Sequence, residues 1–412
     1  MKIWLINPYG PIEGENWRDY SFNQFGKYLA EKGHDIIWWT SNFAHHFKRY
    51  RSVGWKDIAV TNRFIIRLVP STSYKKNFGI GRLIKDITFA KELKKRIQQE
   101  EQPDVIISAE NPLMFGIPTF PFAKKNNIPV IIDQMDIWPE FLENGFGKLK
   151  NVVHLLFKPV YINRYKNYCQ AAGYMALGSN YLLFARKLTL DGERKPYALV
   201  YNGVDTISFR KQMLSPMPKR LLEITISSIH SYHCIFAGTF GPSYDIDTIL
   251  NCAKKCSENK LDVDFWFAGS GSEIEKVLNV ARKESNVIYL GSLLPNELAP
   301  VYAKCDIGLC AYSAKSNVDM PDKFYDYCAA GLAVVNSLTE EVSNYINDNE
   351  VGFNYSAGDV QSMYSAIQKL TMDNVLLKRM KENAFSLGNN FDCNIQNEKM
   401  ERLLYQVFKN KQ

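Results

Sequence analysis

The sequence predicts an α/β protein made of two parallel-sheet domains in tandem, and three observations carry this. Short apolar runs alternate with helical patterns along the whole chain, and the loops after those runs are rich in Gly and Pro. The length, 412 residues of which 46% are hydrophobic, suits two to three domains with sizeable cores. Such alternation argues for strands covered by helices on both faces, with ligand crevices beyond the strand C-termini.

In the first half the strand candidates are Ile3–Ile6, Ile36–Thr40, Phe64–Leu68, Val105–Ser108, Val130–Asp133, Tyr174–Leu177 and Ala198–Tyr201. Helices are expected over Tyr20–Glu31, Leu83–Gln99, Leu113–Lys125, Val152–Tyr168 and Tyr181–Lys187. The loop after the first strand, Asn7 to Arg18, holds Gly10 and Gly14, which suit close backbone approach to a ligand, although a mobile surface loop explains them nearly as well. Asp133, Asp136, Trp138 and Glu140 follow another strand. Paired acids there suit proton transfer and Trp suits stacking on a sugar ring, while helix-cap carboxylates beside a core Trp are the plainer alternative. Glu110 and Asn111 form a similar post-strand loop and rank lower.

The second half repeats the pattern. Thr206–Ser231 is polar and poor in strand signals, and is read as a linker region. Cys234–Pro242 then runs strand to Gly-rich loop, with Gly238 and Thr239 at the turn and a helix from about Asp245. Phe265–Gly271, with Gly269 and Gly271, and Val287–Leu294, with Leu293, are two more strand-then-turn units. Helices over Asp373–Leu387 and Ile395–Phe408 close the chain.

The most informative stretch is Asp319 to Val335, read as loop, short helix, glycine stop and strand. Pro321 suits the first turn of the helix, since it lacks the N–H that a helix start leaves unpaired. Free N–H groups, the positive dipole end and Lys323 make that helix start a place for an anion. Asp326, one turn on, suits paired hydroxyls such as those of a ribose, so a nucleoside diphosphate would satisfy both halves.

Composition narrows the classes. A net charge of +7 fits a phosphate-bearing partner or an anionic membrane surface and is too modest to imply nucleic acid. Eight scattered cysteines, several in apolar segments, argue for reduced thiols and a cytoplasmic chain, and Cys252 and Cys256 lack further ligands for a metal. The N-terminal apolar run is too short for a signal peptide, and no window reaches the roughly 18 to 20 apolar residues of a membrane span. Two basic, aromatic segments, Tyr74–Arg96 and Lys148–Lys166, read either as core helices with a solvated cationic face or as helices lying on an anionic membrane.

The run Pro321 to Gly331 resembles the nucleotide-sugar signature of family 4 retaining glycosyltransferases. Asp136-Ile137-Trp138-Pro139-Glu140 is similar to the Asp-Leu-Trp-Pro-Glu segment of the bacterial subgroup that builds O-antigens and capsules. Asn202-Gly203-Val204-Asp205 resembles the turn that closes the first domain in that family. Three departures stand out. Val318 occupies the place of the first acid of the family's Glu-x7-Glu pair, Met135 that of a His, and Thr239–Asp247 lacks the usual Arg and Lys.

The resemblance implies the GT-B architecture: two Rossmann-like domains facing across a cleft, residues 1–205 and 232–389, joined by 206–231, with a C-terminal helix within 390–412 crossing back to the first. It implies transfer of a sugar, with retention and without an essential metal, from a nucleotide-sugar, a UDP-sugar being expected. The acceptor would be a saccharide or polyprenyl-linked saccharide, met in the cytoplasm or at the inner face of the membrane. Lys323, Asp136 and Arg18 are the implied catalytic residues. Gly14, Gly238, Thr239, Gly269, Gly271, Leu293, Pro321, Asp322, Lys323 and Asp326 are the implied donor contacts. The alternatives are a nucleotide-sugar epimerase of the same shape and an inactive membrane-docked scaffold.

Overall fold

The structure, a computed structural model, describes residues 1–410 apart from 16, 19–20, 76–78, 111–115, 138, 141–142, 144–146, 148–149 and 227. Tyr20, Asn111, Leu113, Trp138 and Lys148, named above, lie outside the described residues. The chain forms two compact units, Met1–Asn202 with Asn394–Gln412, and Gly203–Cys393.

In the first unit the strands are β1 (Lys2–Ile6), β2 (Asp35–Ser41), β3 (Phe43–Ala44), β4 (Arg49–Tyr50), β5 (Lys56–Ala59), β6 (Phe64–Val69), β7 (Val105–Ala109), β8 (Val130–Gln134), β9 (Gly173–Ala176) and β10 (Tyr197–Leu199). The main sheet has the order β10-β9-β8-β7-β1-β2-β6-β5, parallel except for the edge strand β5. Strand order reverses between β1 and β7, which places a crevice at their C-terminal ends. The helices are α1 (Ser21–Glu31), α2 (Ile80–Arg96), α3 (Gly116–Lys125), α4 (Lys150–Gln170) and α5 (Ser179–Lys187), close to the expected spans.

Side chains alternate across the sheet with period two. Ile3 and Leu5 face one core, shared with Phe25 and Leu29 of α1, while Trp4 and Ile6 face the other, shared with Phe89 of α2 and Phe120 of α3. The first core also takes Met400, Leu403, Leu404 and Val407 of the last helix, Cys393–Lys409. That helix therefore belongs to the first unit. His34 serves it too, being buried between the N-terminal amine and the Tyr405 hydroxyl, each 3.1 Å away.

The second unit contains α6 (Thr206–Met213), α7 (Lys219–Thr225), β11 (Tyr232–Thr239), α8 (Ile246–Glu258), β12 (Val263–Ser270), α9 (Ile274–Ala281), β13 (Val287–Gly291), α10 (Pro295–Tyr302) and β14 (Ile307–Cys310). It continues through α11 (Asp322–Ala330), β15 (Ala333–Asn336), α12 (Glu341–Asn349), β16 (Gly352–Asn354), α13 (Val360–Met372) and α14 (Asn374–Gly388), and Cys393–Lys409 is α15. Its parallel sheet has the order β13-β12-β11-β14-β15-β16, so here the reversal falls between β11 and β14.

The expected linker, 206–231, is corrected: it holds two helices, α6 and α7, within the second unit. Asp205 caps α6 by accepting the Ser208 N–H at 2.9 Å. Arg210 ties it down by donating to the Ala329 carbonyl at 3.0 Å, the Phe385 carbonyl at 2.6 Å and Asn389 Oδ1 at 2.7 Å. Hydrogen bonds rather than an apolar stripe hold this helix, so hydrophobic patterning passes over it.

Candidate functional site

In the second unit the site grows from the strand reversal. Helix α11 lies buried beneath it, and its placement is fixed by Tyr327, whose hydroxyl donates to the Ile235 carbonyl at 3.2 Å. Gly308 makes room, since a Cβ there would stand 2.4 Å from the Tyr327 ring. Gly331 ends the helix in the left-handed conformation at φ 70°, the expected glycine stop. Pro321 is the N-cap residue rather than part of the first turn, because its ψ of 145° is extended.

Lys323, in the first turn of α11, does not reach into solvent. Its Nζ lies 4.0 Å from the Phe236 ring centre, 4.2 Å from that of Tyr244 and 4.9 Å from that of Tyr312. It finds no hydrogen-bond partner among the described residues. Burial draws the amine down to about 7. The open side is Gly238, itself exposed, where a Cβ would stand 3.4 Å from the nitrogen.

Gly238 and Thr239 end β11 in register with Gly269 and Ser270 of β12. Gly269 packs against the Gly238 carbonyl and Gly271 against that of Phe240, while the Tyr289 hydroxyl donates to the Gly269 carbonyl at 2.9 Å. The structure thus gathers Gly238, Thr239, Gly269, Gly271, Pro321 and Lys323 at the sheet's C-terminal edge. Asp322 is half-buried at the helix start, and Asp326 is buried one turn later. Leu293 is half-buried in the loop after β13. Asp264, of the Asp-x-Asp pair at 262–264, lies at the opposite end of β12, buried against His230 at 2.7 Å.

In the first unit a cavity of about 190 Å³ opens at the ends of β1, β2 and β8, lined by Asn7, Tyr9, Gly10, Ser21, His46 and Met135 among others. Gly14 adopts φ 82° in the loop beside it, and Arg18 follows in that loop. The loop is clamped by a pair the sequence did not single out. Arg51 donates through Nε and Nη2 to Glu15 at 3.0 and 2.7 Å, and to the Gly10 carbonyl at 2.7 Å. Burial works to raise the Glu15 carboxyl, but the Arg51 guanidinium prevails and holds it below its ordinary value.

Of the three carboxylates in and just after the end of β8, Glu140 is taken by a two-pronged ion pair with Arg164 at 2.6 and 2.8 Å. The Asp133 carboxyl is fully buried without a hydrogen-bond partner among the described residues, and burial pushes it up to about 8. Asp136 stays half-buried at the sheet edge. Lys85 and Arg164, which fall within the two basic segments expected to present a cationic face, are instead buried. Lys85 lies 3.4 Å from Asp86 and over the Tyr9 ring, because that face of its helix packs on the sheet.

Among the described residues no group of three or more His, Cys, Asp or Glu is placed to hold a metal ion, and no helix is long and apolar enough to cross a membrane. Cys252 and Cys256 are free and buried.

This architecture is shared with known enzymes. The chain is similar to sucrose-phosphate synthase from Thermosynechococcus elongatus, with TM-score 0.73 and 13% identity over 99% of both chains. It is similar to Anabaena Alr3699/HepE in complex with UDP and glucose, with TM-score 0.66 and 13% identity over 98% of this chain and 100% of that one. It is also similar to WaaG, a glycosyltransferase involved in lipopolysaccharide biosynthesis, with TM-score 0.62 and 14% identity over 97% and 98%. No curated sequence matches the chain. The fold is that of the GT-B glycosyltransferases. Residues 231–373, which carry the whole site around Lys323, match the family of glycosyl transferases group 1. The greater part of the second unit is thus similar to a glycosyltransferase domain.

Proposed function

We propose that the protein is a retaining glycosyltransferase that moves a sugar from a nucleotide-sugar to a saccharide or polyprenyl-linked saccharide during assembly of a bacterial surface polysaccharide. The observation that carries this is the start of α11: a helix N-terminus and an unpartnered lysine meet the exposed glycine Gly238 at the strand reversal. A donor diphosphate fits there, with Asp326 toward the ribose and Gly269, Gly271 and Leu293 toward the rest of the nucleotide. As the sugar's C–O bond breaks, charge gathers on the terminal phosphate, and Lys323 with the helix N–H groups stabilises it without a metal ion. Gly14, Arg18 and Asp136 serve the first unit's side of the reaction. UDP, which Anabaena Alr3699/HepE holds, makes a uridine donor the first to test.

We place the acceptor at a membrane surface. Ile80, Leu83, Ile84 and Ile87 form an exposed apolar stripe along α2 near exposed Lys91 and Lys94, and Val152, Leu155, Leu156 and Ile162 form another along α4. α3 packs against both helices, so the two stripes share one layer of the unit.

A thermal-shift panel of nucleoside diphosphates and UDP-, dTDP-, GDP- and ADP-sugars tests the donor, since a ligand of the native state raises Tm. Transfer is then followed by release of free nucleoside diphosphate, with and without EDTA. An isomerised nucleotide-sugar with no nucleotide released would mean an epimerase. Lys323→Ala and Asp326→Ala are expected to abolish transfer, the latter also weakening donor binding, and unchanged turnover in both refutes the assignment.

A further inference from the structure

The Lys323 amine is surrounded by carbon. Phe236 approaches it from β11, Tyr244 from the following loop and Tyr312 from the loop after β14. The titratable groups about it are the Cys310 thiol of β14, the Tyr244 and Tyr312 phenols, and Asp322, Asp326 and Tyr327 of its own helix. Burial holds the phenols above their ordinary range and the Cys310 thiol at about 12, so these groups are neutral. Among the described residues no carboxylate forms an ion pair with the lysine. Ring faces attract an ammonium, yet they replace only part of its hydration, so burial disfavours the charged form.

We propose that Phe236, Tyr244 and Tyr312 are positioning residues that keep Lys323 without a counter-ion, so that the donor's diphosphate becomes that counter-ion and one proton enters the site as the donor binds. This rests on the donor site proposed above. Exposed Gly238 is the route. A phosphate oxygen laid against it comes within a bond rotation of Nζ, since even a methyl group there would stand 3.4 Å away. The nitrogen lone pair takes its proton from solvent, and the proton returns when the nucleotide leaves. Lys323 is thus charged when the leaving phosphate needs it, whereas in the empty site it loses its charge as pH rises through about 7.

The full chain is titrated calorimetrically with the best binder among UDP-, dTDP-, GDP- and ADP-sugars, whose esterified diphosphates do not themselves titrate in this range. Buffers of different ionisation enthalpy report the protons exchanged. About one proton is expected per donor bound at pH 8 and about half of one at pH 7, with affinity falling toward roughly tenfold per pH unit above that. Lys323→Arg, charged throughout, is expected to bind with no proton uptake and no pH slope. Lys323→Met is expected to bind more weakly, also without a proton. Phe236→Leu, which admits water to the cage, is expected to lower the uptake at pH 8. Binding without a proton in the unsubstituted protein, or equal uptake in Lys323→Met, overturns the proposal and leaves the donor site standing. Failure of every nucleotide-sugar to bind sinks both.

Discussion

A Cβ on Gly269 would fall 1.8 Å from the carbonyl oxygen of Gly238. The two glycines end adjacent strands in register, with φ of 137° and 141°. No L side chain fits at 269 unless β11 and β12 part at their tips. Gly269→Ala is therefore expected to cost about 2–4 kcal/mol and to abolish the donor-induced rise in Tm. Thermal melts with and without nucleotide check this, and an unchanged melt with full ligand response contradicts it.

Arg51 and Glu15 test the loop of the first unit in the same spirit. Their side chains are only 5% and 8% exposed, so removing one strands the other's charge. Arg51→Ala is expected to cost about 3–5 kcal/mol, whereas Arg51→Met with Glu15→Gln recovers most of that. Transfer should stay impaired in the double variant, because the Gly10 carbonyl has also lost its donor. Denaturant unfolding together with turnover separates the two effects.

Asp133 gives a pH dependence with a definite sign. Burial pushes its carboxyl up to about 8 in the fold, whereas an unfolded chain returns it to about 3.9. Between those values the native state holds the extra proton, so this group's contribution to stability falls as pH rises. Asp133→Asn keeps the site neutral. Its advantage over the parent protein should be small near pH 4 and grow toward pH 8, by up to about 1.4 kcal/mol per pH unit. Unfolding curves at several pH values measure it, and a constant difference would show that the carboxyl titrates normally.

The exposed stripes predict a vesicle phenotype. Leu83→Asp with Ile87→Asp on α2 should reduce co-sedimentation with anionic vesicles severalfold while leaving Tm within about a degree, because both side chains already face solvent. High salt should weaken what binding remains. Equal pelleting of variant and parent would remove α2 from any membrane contact.

Most strands and helices were legible because their cores repeat with a single period: Ile3 and Leu5 on one face and Trp4 and Ile6 on the other announce a doubly covered strand. That Lys323 would sit beside strand-end glycines at one sheet edge was legible from a helix start led by Pro321 and from the glycines themselves. What sequence could not supply was enclosure. Phe236, Tyr244 and Tyr312 lie far from Lys323 along the chain and read as ordinary core aromatics, so the cage exists only once β11 and β14 are neighbours. Arg51 and Glu15 escaped for a related reason. They are 36 positions apart and carry no motif, and only the hairpin of β3 and β4, too short to show periodicity, brings them together. Polar α6 and edge strand β5 lack a buried face of their own to announce them.

The chain enters and leaves the second unit at one spot. Val204 accepts from the Cys393 N–H at 3.0 Å and donates its own N–H to the Phe391 carbonyl at 3.0 Å, while Asp392 bonds the Thr206 backbone and hydroxyl. Residues 203–393 are thus a cassette spliced into the first unit, with both seams side by side. Excising or exchanging that cassette would take two cuts at neighbouring points of the chain, leaving ends that already meet.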